Sequence, residues 1–333
     1  MSPLPSPFPS PPLPLRPYLW MLIGALAFSV MAELTSDLRD HFAWQWIALA
    51  RSSLAMAFAA CLTFAAGARF VFVRPATLWM RSLAGSVSLL CGFYAMTHYD
   101  IAVVLTLTNM YPLWVAVLSW PLLKEIPSRD TWFAAAVGLV GVAVLNFSGA
   151  PAGQPLSPDA PLGSHLAIAA SLVSAFTSAI ALIGLHKLKG VDSRAVVTHF
   201  SAVSSALCVV ALLVLPVLPT GRASPTAAVN SRQPAENLVA REPGRQGETA
   251  GWIPLTMLLG VGISATVGQI FLTKAFAAGS PTRVSVIGLS QTVFAMLFKV
   301  VLHQQRYSLL TSLGMSLIIA PTAWVLLRRR NIL

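Results

Sequence analysis

Ten apolar stretches, each close to the length of a bilayer-spanning helix, set the terms on which this chain can fold. They run at about 18–38, 43–65, 77–97, 101–122, 130–148, 164–186, 195–216, 252–275, 282–302 and 308–327, bounded by charge, Pro or Gly. About 20 mostly apolar residues cross the hydrocarbon core of a membrane as a helix, and within that core only helices or closed barrels satisfy their own backbone groups. The predicted fold is therefore an all-α polytopic membrane protein with ten transmembrane helices. Charged residues make up only 10% of the chain and hydrophobic ones 56%, far from the balance of a soluble domain. The formal net charge of +11 does not imply nucleic acid, because Lys and Arg are scattered singly between apolar runs and not gathered on one face. The expected partner is the lipid bilayer.

Where those cations fall sets the expected orientation. With the N-terminus inside, the cytoplasmic segments hold 13 Lys and Arg and the outer segments six, four of the six in the long loop 219–251. Long loops translocate largely regardless of charge, so both termini are expected in the cytoplasm and the protein in the cell (inner) membrane. Residues 1–17 contain eight prolines without the basic and apolar regions of a secretory signal, and read as a disordered Pro-rich tail. The 219–251 loop reads as a disordered outer insertion, since its Pro, Ser, Gly and mixed charge offer little apolar surface to bury. Residues 328–333 read as a basic cytoplasmic tail.

The chain also repeats itself. Adding 180 to each number lays residues 95–145 on 275–325 without a gap, pairing Ala95 with Ala275, Val104 with Val284, Leu122 with Leu302, Ser128 with Ser308, Thr131 with Thr311 and Ala143 with Ala323. Six identities are few, but spans and loops coincide throughout. Five spans precede the second copy, an odd number, so the copies cross the membrane in opposite senses, an inverted repeat of the sort secondary transporters use for alternating access. Residues 93–125, FYAMTHYDIAVVLTLTNMYPLWVAVLSWPLLKE, and 268–302, GQIFLTKAFAAGSPTRVSVIGLSQTVFAMLFKVVL, carry a resemblance to a known family. The aromatic-Ala pair, short outer turn, mid-span Pro112 and inner Glu125 resemble the drug/metabolite transporter superfamily, in particular its EamA-type members. The resemblance implies two five-helix repeats, here 18–148 and 164–327. Two departures stand out: Lys124 where the family usually has Gly, and Gln305 in place of the second repeat's Glu.

Polar residues inside the spans are the candidate site. Pro112 removes a backbone hydrogen bond and is expected to kink the fourth span, with Asn109, three residues before it, pointing its amide into a cavity or across to another helix. Tyr111 and its repeat equivalent Gln291 lie near mid-span, Gln291 where family members often carry a polar residue, and Gln269 sits in the small-residue run GVGISATVGQ. The expected substrate-binding set is Asn109, Tyr111, Gln269, Gln291 and Tyr94. Among intramembrane charges, which are costly unless paired, wet or able to snorkel, Arg81 and Lys299 lie near span ends and are expected to snorkel. Glu33 and Arg51 lie deeper and are expected to form an ion pair between the first two spans, structural or coupling in role; the family commonly has an Arg in that part of its second span. Gly260, Ser264 and Gly268, like Ala134 and Gly138, have the spacing of close helix packing, whereas Ser171, Ser174 and Ser178 fit packing or a pore equally. Asp37, Asp40, His41, His98 and Asp100 gather in outer turns without any motif of metal binding or catalysis. Cys61, Cys91 and Cys208 read as small buried hydrophobes.

These features describe a secondary transporter of small organic metabolites, working by alternating access in export or exchange, as monomer or homodimer. No catalytic residue, metal or cofactor is expected. A membrane enzyme using His98 and Asp100, or a passive channel, are the alternatives. The neutral amides favour a neutral or zwitterionic solute.

Overall fold

The computed structural model describes residues 15–38, 42–72, 75–99, 101–148, 162–214, 252–303 and 309–327. Positions 1–14, the loop 219–251 and the tail 328–333 lie outside them, as do Asp40, His41, Asp100 and Gln305. The described residues are helical with short connections: α1 (Arg16–Leu38), α2 (Trp44–Ala65), α3 (Ala76–His98), α4 (Ile101–Thr108), α5 (Tyr111–Leu123), α6 (Arg129–Ser148), α7 (Leu162–Lys187), α8 (Ser193–Val214), α9 (Trp252–Ala278), α10 (Pro281–Gly288), α11 (Ser290–His303) and α12 (Leu309–Leu327). Each apolar stretch of the sequence finds its helix within about three residues. The fourth and ninth stretches differ, because each is broken near its middle into two helices. Residues 15–17 belong with the first helix and not with the tail, Pro17 falling second in α1, where its fixed φ suits a helix start.

Six of these segments are long and apolar enough to cross a membrane: Arg16–Leu38, Trp44–Ala65, Val103–Leu123, His165–Lys187, Ser193–Val214 and Pro254–Ala278. The surface agrees with that reading. Phe64, Phe133, Leu213 and Leu309 are exposed, an arrangement suited to lipid and hostile to water. The exposed Trp46, Trp79, Trp120, Trp132, Trp252 and Trp324 all fall within about a turn of a helix end, where indole rings anchor at membrane interfaces.

Helices from the two ends of the chain pair with one another: α1 lies along α9, α2 along α8, α3 along α7 and α6 along α12. The first three pairs are antiparallel. Gly24 meets Gly268 while Leu34 meets Gly260, and Arg81 meets Gly184 while Gly92 meets Ser174. Lipid supplies no hydrophobic drive between helices, so close contact and hydroxyl bonds must hold them. A Cβ added at Gly24 would stand 3.3 Å from the Gly268 carbonyl, and one at Gly141 would stand 2.8 Å from that of Gly314. Between α2 and α8 run Ser52–Ser204 at 3.2 Å, Ser53–Ser205 at 3.4 Å and Thr63–Thr198 at 3.3 Å.

Candidate functional site

The two broken helices are the central feature. In the first, the Thr108 hydroxyl donates to the carbonyls of Val104 and Leu105, 2.9 and 3.2 Å away, and the Asn109 amide nitrogen donates to Leu105 O at 2.7 Å. Such local bonds compete with helix propagation. Pro112 has no N–H to offer the Thr108 carbonyl four residues back, so the ladder stops and restarts at Tyr111. Pro112 is therefore not a kink within a continuous helix, since it sits buried in the first turn of α5, where a missing N–H is harmless. The Asn109 amide nitrogen is likewise turned onto its own helix by that bond.

The second break falls at Leu289, 180 positions beyond Asn109, and the two meet. The Tyr111 hydroxyl donates to the Ser285 carbonyl of α10 at 3.2 Å, and Gly288 provides the space, since a Cβ there would overlap that hydroxyl. From α1, the Ser29 hydroxyl lies 2.8 Å from both the Ala25 and Gln291 carbonyls, its one proton serving both. Two donors in these walls are buried without a hydrogen-bond partner: Trp114 Nε1 in α5 and Ser290 Oγ at the start of α11. Trp114 stands edge-on to Phe176 of α7, centroids 5.3 Å apart.

A second polar group was not legible in the sequence. Arg81, expected to snorkel, is only 3% exposed. Its Nη2 donates to Gln269 Oε1 at 3.0 Å, and its Cζ lies 4.2 Å from the Phe200 ring centroid. Proximity to a helix end suggested an outward side chain, but α7 and α8 pack along α3 and the guanidinium turns inward to Gln269 of α9. Gln269 is thus committed to Arg81 and is buried at 7% exposure. One residue along α8 from Phe200, His199 sits between Ser82 Oγ at 2.7 Å and Phe72 O at 3.1 Å, with Trp79 edge-on at 4.8 Å.

The remaining candidates are dispersed. Tyr94 lies a turn from the end of α3, its ring stacked on His98 at 4.1 Å and its carbonyl 2.9 Å from His98 Nδ1. Arg51 donates from Nε to Met31 Sδ of α1 at 3.1 Å, two positions from the partly buried Glu33. Ser174 and Ser178 pack against α3: Ser88 Oγ lies 2.9 Å from Ser174 O and 3.1 Å from its hydroxyl, and close to Ser178 Oγ. Ser171 donates to Ala167 O of its own helix at 2.8 Å. Gly260 and Gly268 receive Leu34 and Phe28 of α1. Of the cysteines, Cys208 is buried and Cys91 half-buried, but Cys61 is exposed because its face of α2 lies outside the α8 and α9 contacts. Among the described residues no group of three His, Cys, Asp or Glu side chains is placed to hold a metal.

At the side where α1, α6 and α10 begin and α5 and α9 end lies a cleft of about 310 Å³, lined by residues including Tyr18, Glu125, Thr131, Ser280, Thr282 and Arg283. Sequence reading did not single it out, because its walls come from the start of α1 and two connections far apart in the chain.

A bundle of long apolar helices with two mid-length breaks meeting inside it defines a polytopic membrane protein. Residues 15–147 match the EamA-like transporter family, so this part of the chain is similar to membrane transporters of the drug/metabolite type. A protein of Helicobacter pylori described as an uncharacterized transporter is 27% identical over 244 residues, 73% of this chain and 70% of that one. The pseudopaline exporter CntI of Pseudomonas aeruginosa is 24% identical over 277 residues, 83% of this chain and 84% of its own length. A solved crystal structure with 17% identity superposes at a TM-score of 0.72 over 93% of this chain and 98% of its own, a likeness of fold.

Proposed function

We propose that the protein is a secondary transporter of a small organic solute, with two inverted five-helix repeats, 18–148 and 164–327, rocking around a midplane site between α4–α5 and α10–α11. The observation that carries this reading is the matched pair of breaks. Helix ends at His98, Thr108 and Leu123 recur 180 positions later at Ala278, Gly288 and His303. The pairing of α1 with α9 and of α3 with α7 is what exchanging the two halves of such a repeat would produce. Broken helices at membrane depth are tolerated where they line a cavity or are buried in protein, and transporters place substrate at such breaks.

Asn109, Tyr111, Gln291 and the unpartnered Trp114 and Ser290 supply the polar groups of the site, and the cleft beside Tyr18 and Thr282 supplies a mouth on the cytoplasmic side. Export or exchange fits a relative named an exporter. The test is counterflow in proteoliposomes, using solutes chosen by a thermal-stabilisation screen. Labelled solute should accumulate transiently against unlabelled solute inside; flux without such trans-stimulation would make the protein a channel.

A further inference from the structure

We propose that Arg81 receives the negatively charged end of the transported solute, a carboxylate or comparable oxyanion that takes the place of Gln269 Oε1. This deepens the transport reading above and rests on it. A guanidinium offers five N–H donors in a fixed fork suited to a carboxylate. Here Nη2 has Gln269, and Nε is buried with no hydrogen-bond partner. Among the described residues no carboxylate pairs with Arg81, so its charge is met only by a neutral amide and the face of Phe200.

Arg81 lies five residues into α3, roughly 7 Å below its start at 1.5 Å per residue. A cation held there without a counter-ion is unusual, because intramembrane charges pair with one another or mark a substrate route. A purely structural tie between α3 and α9 needs no charge, since a neutral amide at position 81 would make the same bond to Gln269. The site is also built and not adventitious. An added Cβ at Gly85 would overlap Nη1, and one at Gly184 would stand 3.3 Å from Arg81 Cβ, so two glycines leave the room this side chain occupies. Phe200 holds the plane, and Gln269, a flexible amide acceptor, is the partner an anion replaces. The substrate class this selects is a small organic acid or a zwitterion, its carboxylate at Arg81 and its uncharged part toward the aromatic and amide groups of the broken helices.

The experiment is equilibrium binding to the full-length protein in nanodiscs of zwitterionic lipid, read by thermal stability and Trp fluorescence at constant ionic strength. Probes are acetate, benzoate, succinate and inorganic phosphate, with acetamide, benzamide and succinamide as uncharged counterparts of the carboxylates. At least one anion should stabilise the wild type saturably while its uncharged counterpart does not. Arg81→Lys should weaken that anion at least about tenfold, since an ammonium cannot offer the bidentate fork. Gln269→Glu places a carboxylate on Arg81 from within, so it should fold with equal or greater thermal stability and lose the anion response. Equal anion binding by wild type and Gln269→Glu overturns the proposal, and so does the absence of any response to the four anions. A shift seen only when phosphatidylglycerol is added overturns the solute assignment in favour of a lipid headgroup. Because binding is read without flux, a protein that binds anions but shows no counterflow would leave Arg81 standing and sink alternating access, and counterflow indifferent to these variants would do the reverse.

Discussion

The Tyr111 hydroxyl and the Ser285 carbonyl, 3.2 Å apart, join the second half of one broken helix to the first half of the other. Their junction depends on Gly288, whose missing side chain leaves space for the phenol. Tyr111→Phe should therefore destabilise the protein by about 1 kcal/mol, the usual worth of one such bond. Gly288→Ala should cost more, because its Cβ collides with the hydroxyl. In the Tyr111→Phe background the same Gly288→Ala change should cost clearly less. Thermal melts of the four proteins form a double-mutant cycle, and strict additivity would disprove the contact.

Lys124 closes α5 in the left-handed region, at φ 58°, with its N–H on the carbonyls of Ser119 and Trp120. Glycine adopts that conformation without the clash a Cβ brings. Lys124→Gly should raise stability by about 0.5–1 kcal/mol and leave transport unchanged, as melting temperature and counterflow rate would report.

Asn109 and Gln291 are proposed to face the solute from opposite walls. Gln291→Ala should leave insertion and melting near wild type and weaken solute binding by about 1–3 kcal/mol, the penalty of an unpaired polar partner. Asn109→Ala should do the same and also lose about 1 kcal/mol of stability, because its amide ties off α4 at Leu105. Wild-type uptake in both variants would move the site away from these walls.

Glu33 and Arg51 are proposed to form a partly buried ion pair between α1 and α2. Glu33→Gln and Arg51→Gln should each destabilise, and the double variant should lose less than the sum, since removing one partner strands the other charge. If the two losses simply add, the Met31 sulfur contact and not Glu33 is what holds Arg51.

The orientation rests on the Lys and Arg bias. In a background lacking the three native cysteines, Cys introduced at Ser224 should react with an impermeant maleimide on intact cells, and Cys at Ser2 should be protected. The opposite pattern would invert the topology.

Helices were legible in the sequence because lipid leaves a long apolar run no other conformation, and their ends fell where charge, Pro or Gly stood. The breaks were only half legible. Pro112 announces one, but the other occurs at Leu289 with no proline beside it, and only the 180-residue offset points there. Side-chain direction was the hidden part. Arg81 sits as near a helix end as a snorkelling residue would, and nothing local reveals that α7 and α8 pack against its helix. Asn109 has the position of a cavity residue, yet its bond to Leu105 depends on where the helix stops. Gln269 was marked as polar among small residues, but its partner lies 188 positions away.

The pairings of α3 with α7, α2 with α8 and α1 with α9 are nested, each enclosing the one before. During synthesis, α3 can find its partner soonest, α2 must wait for α8, and α1 cannot cover its small-residue face until α9 emerges. The earliest helix made is thus among the last to be matched. Until then its Gly24 and Ser29 hydroxyl present a sticky edge to the translocation machinery. Assembly of such a protein proceeds from the inside of its sequence outward, and a truncation that spares every residue of the first half still leaves that half without its closing strands of contact.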